Sequence, residues 1–119
     1  MLNWGGIGEG VSIMENIEFK KVRAISMLKK ILNAQDICKF VIGKTHDLEE
    51  RMQDYNSKGY TRMEELASCN SLEEVNKLES ELINYFGKRE ACANVNDGGA
   101  GRLAQSDKYY VYVALKENK

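Results

Sequence analysis

Ile37-Cys38-Lys39-Phe40-Val41-Ile42-Gly43-Lys44-Thr45-His46-Asp47-Leu48-Glu49-Glu50-Arg51 sets a short apolar run directly before a charged one. Ile37 to Gly43 reads as a buried strand. From Asp47 the period changes, and Leu48, Met52 and Tyr55 on one face predict a helix over 47–56. A strand passing at once into a helix is the signature of a sheet with helices packed on it.

The flanks extend the same alternation. Upstream, Ser12-x-x-Glu15 has capping-box spacing and predicts a helix to about Asn33, with Ile17, Val22, Ile25, Leu28 and Leu32 as its apolar stripe. Glu15 and Glu18 near its start and Lys29 and Lys30 near its end suit the helix dipole. Residues 1–12, with Trp4 and four glycines, read as a flexible or docking extension, and 13–119 as one domain. Downstream, Tyr60 to Cys69 is expected as a strand because a second capping box, Ser71-x-x-Glu74, follows it. That box opens the clearest helix, to Phe86, with Leu72, Val75, Leu78, Leu82 and Phe86 in register and Gly87 at the C′ position. A strand near Ala91–Val95, a glycine loop and a Tyr/Val-rich strand over Tyr109–Leu115 complete the chain. The fold class is α+β, a small, mostly antiparallel sheet covered by three helices.

The 119 residues carry 17 Lys+Arg against 18 Asp+Glu, so the basic excess that grips long nucleic acid is missing. Three scattered cysteines, Cys38, Cys69 and Cys92, with a single histidine, His46, favour reduced thiols over a disulfide framework or a zinc site. No apolar run is long enough for a membrane span and no signal-peptide pattern is present. A cytoplasmic protein is expected.

Asn94-Val95-Asn96-Asp97-Gly98-Gly99-Ala100-Gly101-Arg102 packs three glycines, two amides and a cation into nine residues. Its backbone amides can form an anion nest, with Arg102 as a forked donor, although an ordinary surface loop reads the same way.

Four pieces together resemble the GIY-YIG nuclease domain: Val41-Ile42-Gly43-Lys44-Thr45, Asp47 to Arg51, Leu78-Glu79-Ser80-Glu81-Leu82-Ile83, and Asn94 with the glycine turn. They span residues 37–101. The resemblance implies a phosphodiester site in which Glu79 holds a divalent cation, Arg51 stabilises phosphoryl charge, and tyrosines activate water. Val41 stands where that family has a tyrosine, and no GIY strand precedes Ile37. Tyr110-Val111-Tyr112 looks like such a strand, and a circular permutation would bring Tyr112 beside Val41. Catalysis would then fall to Arg51, Glu79 and Tyr112.

A scaffold that keeps its phosphate grip but lacks its base is suited to holding nucleotides uncut. The whole chain also resembles the phage anti-Thoeris sponges, through Met14 to Lys21, Phe86, Asn94, Asn96 and the glycine loop. That resemblance implies a non-enzymatic homo-oligomer in the host cytoplasm that sequesters cyclic ADP-ribose isomers or related cyclic nucleotides and needs no cofactor. The residues suggest how. Gly98, Gly99, Gly101 and Arg102 take the pyrophosphate, and Asn94 or Asn96 reads ribose or base. Phe86 or a C-terminal tyrosine such as Tyr110 stacks on the adenine, and Lys44 and Arg51 add charge.

Overall fold

The computed structural model describes residues 9–34, 36–94 and 105–118, with side chains of the first helix from Ile17 onward. The elements are α1 (Glu9–Ala34), β1 (Ile37–Thr45), α2 (Leu48–Asn56), β2 (Arg62–Cys69), α3 (Leu72–Phe86) and β3 (Tyr109–Glu117). The order β1-β3-β2 is antiparallel throughout, so the last strand lies at the centre. No helix among the described residues is long and apolar enough to cross a membrane.

Helix starts follow their caps. The Asp47 carboxylate accepts from Glu50 N–H at 3.1 Å, and the Ser71 hydroxyl accepts from Glu74 N–H at 3.2 Å. At the other end of α3, Gly87 is right-handed, with φ −65°, rather than the left-handed cap anticipated. Its glycine answers a close approach instead, because a Cβ there would overlap the Ile83 carbonyl oxygen. Helix α1 begins at Glu9, so Ser12 and Glu15 are interior positions of a 26-residue helix.

Strand alternation divides the core. Phe40, Ile42, Val111, Val113 and Leu115 face α1 and α3, packing with Leu28, Leu78, Leu82 and Phe86. Tyr112, Ala114, Val41 and Met63 form a second cluster with Leu48 and Tyr55 from α2. The expected stripe of α1 holds for Leu28, with Ile25 and Leu32 packed beside it, but fails at Val22, which is 59% exposed. Ala24, four residues before Leu28, is the buried position in its place. The expected strand at Ala91–Val95 is reduced to one parallel bridge, Phe40 to Cys92. Main-chain pairing stops there because the Asn94 side chain takes over the backbone groups of Ile42.

Candidate functional site

Gly43 lies opposite Tyr112 in the β1–β3 register, and the Tyr112 ring fills the space above it. The anticipated neighbour was Val41, which instead faces Ala114. The difference is two residues, so Tyr112 stays on the same face of the sheet. From there its hydroxyl donates to the Tyr55 hydroxyl at 3.4 Å, and the two rings meet edge-on with centroids 5.9 Å apart. Tyr55 is one turn beyond Arg51 on α2, a spacing that puts both on one helix face.

From α3, on the opposite face of the sheet, Glu79 reaches the same end of β1. Its carboxylate is 2% exposed and pairs with the Lys44 ammonium at 3.4 Å. The outer edge of β1 is covered as far as Ile42, where the Asn94 amide accepts from the Ile42 N–H and donates to its carbonyl, both at 2.9 Å. The cluster Gly43, Lys44, Arg51, Tyr55, Glu79 and Tyr112 therefore gathers where that cover ends. It meets solvent through Arg51, whose side chain is 40% exposed, and Lys44, at 12%.

Burial raises the Tyr112 phenol well above its ordinary pKa, and the Tyr55 hydroxyl and the Glu79 charge push the same way while Arg51 opposes them. Tyr112 is thus a neutral hydrogen-bond donor at any physiological pH and a poor base. Arg51 has an exposed carboxylate, Asp54, at 3.5 Å, a pairing that a competing anion can replace.

A divalent cation fits this arrangement poorly. Among the described residues no three His, Cys, Asp or Glu side chains converge on one point. The one buried carboxylate among the described residues, Glu79, is paired with Lys44, which a metal would have to displace. The cluster thus holds two cations of different shape, one compensated carboxylate and a phenol pair in which Tyr112 donates to Tyr55.

Several anticipated ligand residues have other places. Phe86 is fully buried, edge-on to Phe40 at 6.5 Å with the Arg89 guanidinium over its ring, so no face is open for stacking. Asn94 spends both ends of its amide on Ile42 and acts as a brace. Tyr110 is half-buried opposite Thr45, two residues from Tyr112 and on its face of the sheet. Asn96, Gly98, Gly99, Gly101 and Arg102 lie outside the described residues, as does Trp4. Tyr55 was read only as an apolar residue of α2; the signal that could have found it is Arg51-x-x-x-Tyr55. No family model matches the chain, and neither a curated protein nor a solved structure matches it.

Proposed function

We propose that this chain binds a phosphodiester-containing nucleotide and holds it uncut, on a GIY-YIG-type scaffold whose GIY strand has moved to the C-terminal end. Three placements support the scaffold: β3 in the centre of the sheet, Tyr112 seated over Gly43, and Arg51 and Glu79 within electrostatic reach of its hydroxyl. The observation that carries binding over cleavage is the Lys44–Glu79 pair, 3.4 Å apart with the carboxylate buried. It places a protein cation on the one carboxylate that would otherwise recruit a metal ion.

In this reading Arg51 releases Asp54 and forks onto two phosphate oxygens. Lys44 adds a point charge while remaining beside Glu79. Tyr55, whose oxygen accepts from the Tyr112 hydroxyl, donates its own hydroxyl hydrogen to the phosphate, and with Val41 in place of a phenol no tyrosine base is left there to draw a proton from water. The ligand class is small and anionic, with cyclic signalling nucleotides such as cyclic ADP-ribose isomers foremost. Sequestration of a signal needs sub-micromolar affinity, about −8 kcal/mol or better.

The test incubates the chain with cyclic ADP-ribose isomers and cyclic dinucleotides, in magnesium and separately in EDTA. The protein is then heat-denatured and the released nucleotides identified by mass spectrometry. Unchanged nucleotide, retained equally in both buffers and lost in Arg51→Ala, is the expected result. Linearised products that appear only with magnesium would replace this reading by a metal-dependent phosphodiesterase, with Glu79 as its metal ligand. A result with neither retention nor cleavage of any nucleotide under either condition would overturn both.

A further inference from the structure

A second surface lies away from this site, between α1 and the outer edge of β2. Among the described residues five large apolar side chains are exposed, and three of them, Phe19, Val22 and Met27, line one groove there. Arg62 and Glu64 of β2 form its floor. An exposed apolar strip beside an unpaired strand edge calls for a covering partner.

The pairing pattern shows what that edge offers. Phe40 and Ile42 turn their backbone groups outward, to Ala91, Ala93 and Asn94. Alternation along antiparallel ladders then directs Val113 and Leu115 toward β2, where they pair with Glu64 and Arg62. Met63, between those two, is left with its N–H and C=O pointing out of the sheet. No backbone hydrogen bond forms on this edge among the described residues.

We infer that this face docks a second copy of the same chain, β2 against β2, antiparallel about a twofold axis at Met63. The argument for a copy is charge self-complementarity. Register about Met63 places Arg62 opposite the second copy's Glu64, and the reverse, as an isologous interface requires. These are narrow, non-hydrogen-bonded pairs, the closest cross-strand geometry, with Cα atoms about 4.5 Å apart. Arg62 is already aligned by Glu64 of its own strand at 2.6 Å, with Glu117 of β3 at 4.0 Å behind it, so the dimer alternates Arg62 and Glu64 across the axis. Two backbone hydrogen bonds join the Met63 residues across the axis. Phe19, Val22 and Met27 of each copy are brought over the joined edges, while Arg23 and Lys30 at the groove rim keep their charged ends in water. Two three-stranded sheets become one of six strands. None of this depends on the nucleotide site.

The experiment is sedimentation equilibrium of the full chain across a wide concentration range. Wild type is expected at twice the chain mass. Val22→Asp, at a 59% exposed position that leaves the core untouched, should weaken association by about tenfold or more. Arg62→Glu and Glu64→Arg should each weaken it, and the double exchange Arg62→Glu/Glu64→Arg should restore it. In a Cys38→Ser background, Met63→Cys should form an intermolecular disulfide under mild oxidation, since hydrogen-bonded pairs put Cα atoms about 5.5 Å apart. Circular dichroism on every variant confirms folding. A wild-type monomer at all concentrations overturns the inference. So does a dimer indifferent to Val22→Asp, or a double exchange no better than its parents.

Discussion

The Tyr112 phenol occupies the space that a side chain at residue 43 would need. Strand β1 therefore tolerates only glycine there, for room rather than for backbone conformation. Gly43→Ala should cost about 1–3 kcal/mol by overpacking and should swing the hydroxyl away from Tyr55. The decisive comparison is a double-mutant cycle by chemical denaturation. Once Tyr112→Ala has removed the ring, the added methyl at 43 should cost almost nothing, a coupling expected only for residues in contact. Equal cost in both backgrounds would show that the ring does not fill this space.

Lys44 and Glu79 form the most buried ion pair among the described residues, with side chains 12% and 2% exposed. Glu79→Ala leaves an ammonium and Lys44→Met leaves a carboxylate, each largely removed from water. Either single change should cost about 3–5 kcal/mol, whereas the double change Lys44→Met/Glu79→Leu should be close to neutral. Thermal melts of the four proteins check this. If the single variants melt with wild type, solvent reaches the pair and it does not anchor α3 to β1.

Local signals in the sequence reached the elements but not their arrangement. Asp47 and Ser71 mark helix starts because a cap acts within one turn, and both helices begin where the sequence places them. The central place of β3 depends on pairing between residues some seventy positions apart, which no local period encodes; the Tyr110-Val111-Tyr112 pattern raised it only as a possibility. Helix α1 shows the limit of periodicity: Val22 and Leu28 share a stripe on paper, yet one faces solvent and the other the core. Arg51, Glu79 and Tyr112 were singled out, and their electrostatic fields do meet at one hydroxyl. Tyr55 escaped because a tyrosine in an apolar stripe is indistinguishable from packing until its hydroxyl has a partner. Asn94 was taken for a reader of ligand because an exposed amide and a structural one have the same letter.

Cys69 should make the protein alkali-sensitive. Burial, with Glu74 adding to it and Lys20 opposing, lifts its thiol from 9.0 to about 11. The folded chain thus holds this proton more tightly than the unfolded chain. Stability is complete below about pH 9 and is lost as pH rises toward 11, by at most about 3 kcal/mol. Denaturation midpoints between pH 8 and 11 should slope less in Cys69→Ala than in wild type. Tyr112 and Tyr60, both raised chiefly by burial, and Lys21, raised by Glu81 and Glu18, contribute slope that survives. Alkylation offers an independent check: exposed Cys38 should react well before Cys69. Equal slopes in both proteins would mean the Cys69 thiol is not desolvated.

Asn94 grips Ile42 by both backbone groups, and the two possible replacements separate donor from acceptor. Asn94→Ala removes both partners and should cost about 1–3 kcal/mol. Asn94→Asp still accepts from the Ile42 N–H, but near neutral pH it sets a carboxylate against the Ile42 carbonyl, so it should be no more stable than alanine. That repulsion favours the protonated acid, raising the folded-state pKa of the new aspartate above its unfolded value of about 3.9. Below that value the acid can donate to the carbonyl, and the aspartate variant should gain on the alanine variant as pH falls through the raised pKa. Comparing the two variants, rather than either with wild type, cancels the acid sensitivity of every other group. A difference between them that stays constant with pH would show that the side chain at 94 does not meet the Ile42 carbonyl.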